Sequence, residues 1–109
     1  MKRNGRFLKI KFMENTKEFF ERFLATDPET LQGNTELLAL WHDGHGNWEK
    51  SHDQVDQLGG KNAARIHAYL HRKEGDQWNA DYWYRRAGEK RPEITLVEEW
   101  KELVGRFFT

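Results

Sequence analysis

Two stretches of the chain decide its fold: ALWHDGHGNWEKSHDQVDQLG (residues 39–59) and AYLHRKEGDQWNADYWYRRAG (residues 68–88), which align at an offset of 29 residues, from 39 to 68. Each stretch predicts a helix, a turn that contains glycine, an Asn or Asp cap and a second helix. Glycine suits the left-handed turn between such helices, and small residues let paired helices approach closely. The repeat therefore predicts two consecutive helical hairpins, with these positions matched: Ala39 and Ala68, His42 and His71, Gly46 and Gly75, Gly59 and Gly88.

The sequence predicts one further helix on each side of the repeat. Before the repeat, Asn15 and Glu18 form a capping-box pattern, apolar residues follow at helical spacing, and Pro28 ends the segment. After the repeat, Thr95 and Glu98 form a second capping-box pattern ahead of another apolar stripe. The gaps between these segments are short. Together they predict an all-α fold, an antiparallel bundle of five or six helices with a C-terminal capping helix.

Length and composition bound the organisation of the chain. A chain of 109 residues has room for one domain, which we place at residues 14–109. Residues 1–13 carry five basic and no acidic residues, and we expect a basic appendage that could stay disordered. The absence of cysteine excludes disulfides, thiolate nucleophiles and cysteine-ligated zinc. No apolar run could span a bilayer and no secretory signal is evident, so we expect a cytoplasmic protein without a membrane partner.

Charge is balanced overall but is unevenly distributed along the chain. Residues 14–60 carry three basic and ten acidic residues, whereas residues 61–91 carry eight basic and four acidic residues. Two interpretations follow from this pattern. The two segments neutralise each other within one fold, or the basic segment presents a surface to an acidic partner. Because the net charge is zero and the first half is acidic, nucleic acid is an improbable partner.

The second hairpin, HAYLHRKEGDQWNADYWYRRA, resembles the tetratricopeptide-repeat helical hairpin. The resemblance covers residues 35–88, with units at about 35–59 and 62–88, and it implies a helix-turn-helix centre of that kind. The repeat period is shorter than the usual ~34 residues, and two units make a bundle rather than a solenoid. The signature is also similar to one from uncharacterised small bacterial and fungal proteins, which implies no activity. The signature positions are Ala68, His71, Gly75, Asp76, Ala80, Tyr84 and Ala87.

The resemblance suggests where a partner would bind. In hairpins of this family, the first helices line a concave groove that binds peptides. The matching positions of the fourth predicted helix carry basic and aromatic side chains, which suit a carboxylate-bearing segment. We therefore expect a noncatalytic interaction module whose partner is an acidic protein or peptide, the alternative being a solvated helix face. The expected binding residues on this helix are Arg65, Tyr69, Arg72 and Lys73.

The fifth predicted helix has aromatic residues on two sides. Trp78 and Tyr82 lie with Arg85 on the side opposite its apolar face. Such a helix is either sandwiched within the bundle or exposes one aromatic face. Because aromatic residues and arginine are frequent at binding hot spots, Trp78, Tyr82 and Arg85 are added to the candidate partner-binding residues.

The histidines support a rival hypothesis, a small-molecule or metal-dependent site. His67 and His71 are one helical turn apart, so both imidazoles could face one ion, with Glu74, Asp43, His42 or His52 completing the site. The alternative is that they are core histidines. We assign no catalytic residue, metal or cofactor, and favour a non-enzyme. The metal candidates are His42, His67 and His71, with His52, Trp41, Trp48 and Tyr84 in the wider cluster. A third hypothesis is a self-associating structural protein.

Overall fold

The computed structural model describes residues 16–108, and all regular secondary structure in this range is helical. A short 3-10 helix, Pro28–Leu31, lies between the first two α-helices. The predicted all-α class is confirmed. The predicted basic appendage at residues 1–13 and the predicted cap Asn15 lie outside the described residues. The α-helices are α1 (Lys17–Ala25), α2 (Thr35–Gly44), α3 (Trp48–Asp56), α4 (Lys61–Lys73), α5 (Gln77–Ala87) and α6 (Leu96–Phe107).

Side-chain caps fix where most of these helices begin. At α6, Thr95 accepts from the Glu98 N–H and the Glu98 carboxylate accepts from the Thr95 N–H, so the predicted capping box is confirmed. At α1, the cap is Thr16, whose hydroxyl accepts from the Phe19 N–H at 3.0 Å. Each cap satisfies an N–H that has no partner within its helix. The remaining side-chain caps of the α-helices are Asn34, Asn47 and Asp76.

The two predicted hairpins, α2–α3 and α4–α5, have the same turn. In the first hairpin the Asn47 N–H donates to the His42 carbonyl at 2.9 Å, and in the second the Asp76 N–H donates to the His71 carbonyl at the same distance. At the turn, the internal repeat of the sequence is therefore a repeat of backbone structure, whereas the second helices end differently: α5 ends at a left-handed Gly88, and the aligned Gly59 has no positive φ angle. The glycine of each turn has a positive φ angle, 79° at Gly46 and 89° at Gly75.

The last helix, α6, packs against the first helices of both hairpins, α2 and α4. The Trp100 indole donates to the Leu40 carbonyl at 2.9 Å, and Leu103 and Val104 are fully buried. The packing against α2 is tight: a Cβ at Gly44 would lie 2.8 Å from a ring carbon of Trp100. The groove between the two first helices is thus filled by the chain's own final helix.

The buried residues form two clusters. The larger one combines apolar side chains of α1, α2, α4 and α6 with Val55 of α3 and Leu31 of the 3-10 helix. The smaller one lies between α4 and α5 around Ala68, Ala80 and Tyr84. Trp83 covers the edge of the smaller cluster. None of the helices within residues 16–108 has the length and apolarity needed to cross a membrane.

Candidate functional site

The predicted binding face of α4 is largely buried. Arg65 is 1% exposed and Tyr69 is 2% exposed. Arg65 Nε lies 3.0 Å from Glu89 Oε1, and Arg65 Nη1 lies 2.8 Å from Glu99 Oε2. A buried guanidinium needs such partners, because an unpaired charge in the interior is strongly unfavourable. Arg65 is therefore committed to acids of its own chain.

Glu99 is the centre of this network. Its carboxylate is fully buried and accepts from Arg72 Nη1 at 2.7 Å and from the Tyr84 hydroxyl at 2.5 Å, in addition to its contact with Arg65. Arg72 Nη2 donates to the Ile94 carbonyl at 2.6 Å. Burial, followed by the hydrogen bond to Glu99, raises the pKa of Tyr84 above its usual range, so the phenol stays a donor.

Asp43 plays a similar part at the other end of α4. The Tyr69 hydroxyl donates to Asp43 Oδ2 at 2.6 Å, and Lys73 Nζ donates to Asp43 Oδ1 at 2.9 Å. Burial, and next the Asp43 carboxylate, raise the pKa of Tyr69. Lys73 keeps part of its side chain in solvent, but its ammonium group is bound.

The expectation of an open basic groove on α4 is therefore not met by this arrangement. The structure does bring the four predicted residues of α4 to one side of the helix, and acidic groups do bind their side chains. Those acids are supplied internally, by Asp43 of α2, by Glu89 after α5 and by Glu99 of α6. A partner could reach the Arg65 guanidinium only by displacing Glu89 and Glu99, and Glu99 lies on α6, whose apolar side chains belong to the core.

Sequence reasoning missed these acids, although one signal was present. Glu99 lies three residues after Leu96 and four before Leu103, on the stripe that forms the buried side of α6. A carboxylate on an apolar stripe requires a buried cationic partner. The signal identifies Glu99 as a core residue without identifying the arginines that it binds.

The outward side of α5, by contrast, is open. Trp78 is 77% exposed, and its ring is nearly parallel to that of Tyr82, at 9° with 6.4 Å between centroids. Arg86 donates to the Tyr82 hydroxyl at 3.1 Å, and Arg85 is exposed beside them. The interpretation that α5 is sandwiched on both sides is thus wrong. We call Trp78, Tyr82, Arg85 and Arg86 the outer face of α5.

The outer face carries cations that lack acidic partners. Within residues 16–108, neither Arg85 nor Arg86 makes an ion pair, whereas nearby Arg91 is paired with Asp81 at 3.3 Å. Arg85 also lines an open groove of about 750 Å³ between α5 and the start of α6. Glu89 and Glu98 of that groove are bound to Arg106 and to the Thr95 N–H, and Glu93 is its unpaired acid.

The structure divides the predicted histidine cluster into two groups. His52, His67 and His71 come together between α3 and α4, and one ligand nitrogen of each lies within 4.8 Å of the others. His42 is elsewhere, at the end of α2 next to Trp41, where burial lowers its pKa. Of the wider set, Trp48 lies against the first group and Tyr84 belongs to the Glu99 network.

We compared the chain with protein-family models, with curated proteins and with solved structures, and none of them matches it. The resemblance to tetratricopeptide-repeat hairpins, and to small bacterial and fungal proteins, therefore stays a prediction from the sequence.

Proposed function

We propose that this protein is a noncatalytic interaction module that binds an acidic segment of a partner protein through the outer face of α5. The observation that carries the proposal is the exposure of Trp78, at 77% of its surface, beside Tyr82 and two arginines without acidic partners. Exposed tryptophan is costly to keep in water, and Trp, Tyr and Arg are the residues that dominate binding hot spots.

The arrangement of these side chains favours a defined surface over a mobile one. The Arg86 guanidinium lies over the rings of Tyr82 and Trp83, at 5.8 and 5.5 Å from their centroids. Cation–π contacts and the hydrogen bond to the Tyr82 hydroxyl hold Arg86 against the helix. A pre-ordered surface loses less conformational entropy when a partner binds.

Charge complementarity selects the partner class. Arg85 and Arg86 can each form a charge-assisted, bidentate hydrogen bond with a carboxylate. Lys90 adds a third exposed base without an ion pair, on the groove side, where Glu93 is the one acid without a partner among the described residues. An extended or helical peptide with two carboxylates for the arginines and an apolar side chain over Trp78 would match the outer face of α5.

The proposal can be tested with a displayed library of random peptides selected on the full chain. We expect enriched peptides to carry Asp or Glu next to an apolar residue. Their affinities, measured by fluorescence anisotropy, should fall by about 30-fold or more in Trp78→Ala. The double variant Arg85→Glu/Arg86→Glu should abolish binding, and added salt should weaken it.

Matched controls come from other faces of the same chain. Val97→Ala removes another exposed apolar side chain, and Lys17→Glu/Lys50→Glu reverses two exposed charges on α1 and α3. Both variants should bind as the wild type does. Enrichment of neutral or basic peptides, or binding that survives the α5 variants, would contradict the proposal. Displacement of the peptide by single-stranded DNA would show instead that the outer face of α5 binds nucleic acid. Salt-dependent dimers would show instead that it binds a second copy of the chain.

A further inference from the structure

Three histidines that the proposed function does not use converge on one point of the molecule. His67 and His71 are one turn apart on α4 and are 3% and 7% exposed, and His52 faces them from α3. The ring centroids are 4.9 Å apart for His52 and His67, 5.3 Å for His52 and His71, and 6.0 Å for His67 and His71. Three imidazoles this close together, two of them buried, are uncommon in a protein interior.

One ring nitrogen of His71 is free to act as a ligand. His71 Nδ1 lies 2.6 Å from Glu74 Oε2. An ionised carboxylate only accepts, so this hydrogen bond places the proton on Nδ1 and leaves a lone pair on Nε2. Metal-binding histidines have this arrangement, in which a carboxylate fixes the tautomer and raises the basicity of the ligand nitrogen.

His67 has a buried nitrogen without a partner. His67 Nδ1 makes no hydrogen bond of good geometry within the described chain, although the Val55 backbone carbonyl is close to the ring, and Asp56 Oδ1 lies 4.0 Å from Nε2. A polar atom without a partner in the interior is unfavourable, because it has lost its hydrogen bonds with water. A bound cation would give a buried imidazole nitrogen such a partner.

Two tryptophans pack against the three histidines. Trp48 stacks on His52, at 4.9 Å and 10°, and its indole donates to the Leu70 carbonyl at 2.8 Å. Trp83 stacks on His67, at 4.1 Å and 13°. These rings form walls on two sides of the histidines and limit the rotation of the imidazoles.

We propose that His52, His67 and His71 bind one divalent first-row transition metal ion, with zinc as the expected occupant, and that Glu74 positions His71. Three imidazole nitrogens suit zinc, cobalt, nickel or copper, whereas calcium and magnesium require oxygen ligands. In a tetrahedral zinc site the ligand nitrogens are about 3.4 Å apart. His52 is half-buried, so a small adjustment of its side chain, with the ring still against Trp48, can bring its nitrogen to this distance. Three protein ligands leave a fourth position for water.

The test uses the untagged full chain after treatment with a chelator, titrated with Co²⁺ and Zn²⁺. We expect one equivalent of Co²⁺ to give the intense visible absorption of a tetrahedral site, and Zn²⁺ to displace it. Zinc at about 100 times its Kd should raise the Tm by roughly 10 °C or more. Magnesium and calcium should change neither the absorption nor the Tm.

Variants separate the ligands from the positioning residue. His52→Ala should weaken Zn²⁺ binding by at least about 100-fold, and it changes the least buried of the three rings. Glu74→Gln should keep the cobalt absorption and lose about 10- to 100-fold in affinity. His42→Ala, a histidine outside the cluster, should bind as the wild type does.

Two results would overturn the proposal. One is a wild-type chain that gives neither the cobalt absorption nor a zinc-dependent Tm shift. The other is a folded His52→Ala variant, verified by circular dichroism, that binds zinc with wild-type affinity. Both readouts are independent of peptide binding on the outer face of α5, so either proposal can fail alone.

Discussion

The guanidinium of Arg65 and the carboxylate of Glu99 face each other 2.8 Å apart in the interior, joining α4 to α6. Both side chains are almost completely excluded from solvent. Burial removes the hydration of both charges, so each depends on the other and on the hydrogen bonds around the pair. Arg65 Nη1 is paired with Glu99 by charge and proximity without a well-oriented hydrogen bond, so the pair depends on the surrounding groups and should fail with them.

Glu99→Ala tests this dependence. The change leaves Arg65, Arg72 and the Tyr84 hydroxyl without their shared acceptor, so we expect a loss of about 3–5 kcal/mol in the free energy of unfolding, measured by urea denaturation. Glu93→Ala is the control, because Glu93 is exposed and makes no ion pair within residues 16–108, and it should change stability by less than about 0.5 kcal/mol. A loss below 1 kcal/mol for Glu99→Ala would show that water replaces the carboxylate.

Gly44→Ala should destabilise the bundle although alanine is the better helix former. The added methyl would lie 2.6 Å from Leu24 Cδ2 and 2.8 Å from Trp100 Cζ2, and the indole is held by its hydrogen bond to the Leu40 carbonyl. Overpacking of this kind costs about 1–3 kcal/mol, readable as a lower Tm. Gly59→Ala, where a Cβ would meet no atom within 4 Å, should lose nothing.

Gly75→Val tests the repeated turn. At φ 89°, a β-branched residue is strained even though there is space around it, so we expect a loss of about 1–2 kcal/mol or more. Gly75→Asn should lose less, because asparagine tolerates the left-handed conformation. The same ranking is expected at Gly46. Equal losses for Val and Asn at Gly75 would show that the backbone conformation is not the cause.

The acid sensitivity of the fold should depend on Glu89. The hydrogen bond from Arg106, with a smaller contribution from Arg65, holds the pKa of Glu89 below its usual value, against the effect of burial. A carboxyl whose pKa is lower in the folded state contributes stability above its unfolded pKa of about 4.3 and loses it as the pH falls through the folded value.

Glu89→Gln should therefore lower stability at pH 7 and flatten the decline between about pH 5 and pH 3. Urea denaturation at several pH values measures both effects. The comparison is Glu93→Gln, at an exposed carboxyl without an ion pair among the described residues, which should keep the wild-type slope. If stability falls with pH as steeply in Glu89→Gln as in the wild type, other carboxyl groups cause the loss of stability in acid.

The hairpins, their turns and most caps were predictable because they depend on residues within about four positions. Asp76 as cap, α5 at Gln77–Ala87 and Gly88 as its end agree with the sequence pattern. The burial of α4 was not predictable in the same way. Its arginines find their acids 24 and 27 residues away, at Glu89 and Glu99, so their exposure depends on tertiary packing.

The histidines show the same limit. The pairing of His67 with His71 follows from helical spacing, but the approach of His52 depends on how α3 packs against α4. The outer face of α5 was predictable as a pattern, since Trp78 and Tyr82 lie four residues apart. Whether that side was covered by another helix could be decided only by the fold.

The position of α6 between α2 and α4 makes the connection at residues 88–95 more than a link to a terminal element. In an open helical array, losing the last helix shortens the stack and leaves the remainder intact. Here the last helix carries Trp100, Leu103 and the carboxylate that pairs with Arg65 and Arg72. A proteolytic cut after Gly88 that released α6 would therefore do more than shorten the bundle. It would expose the core between α2 and α4.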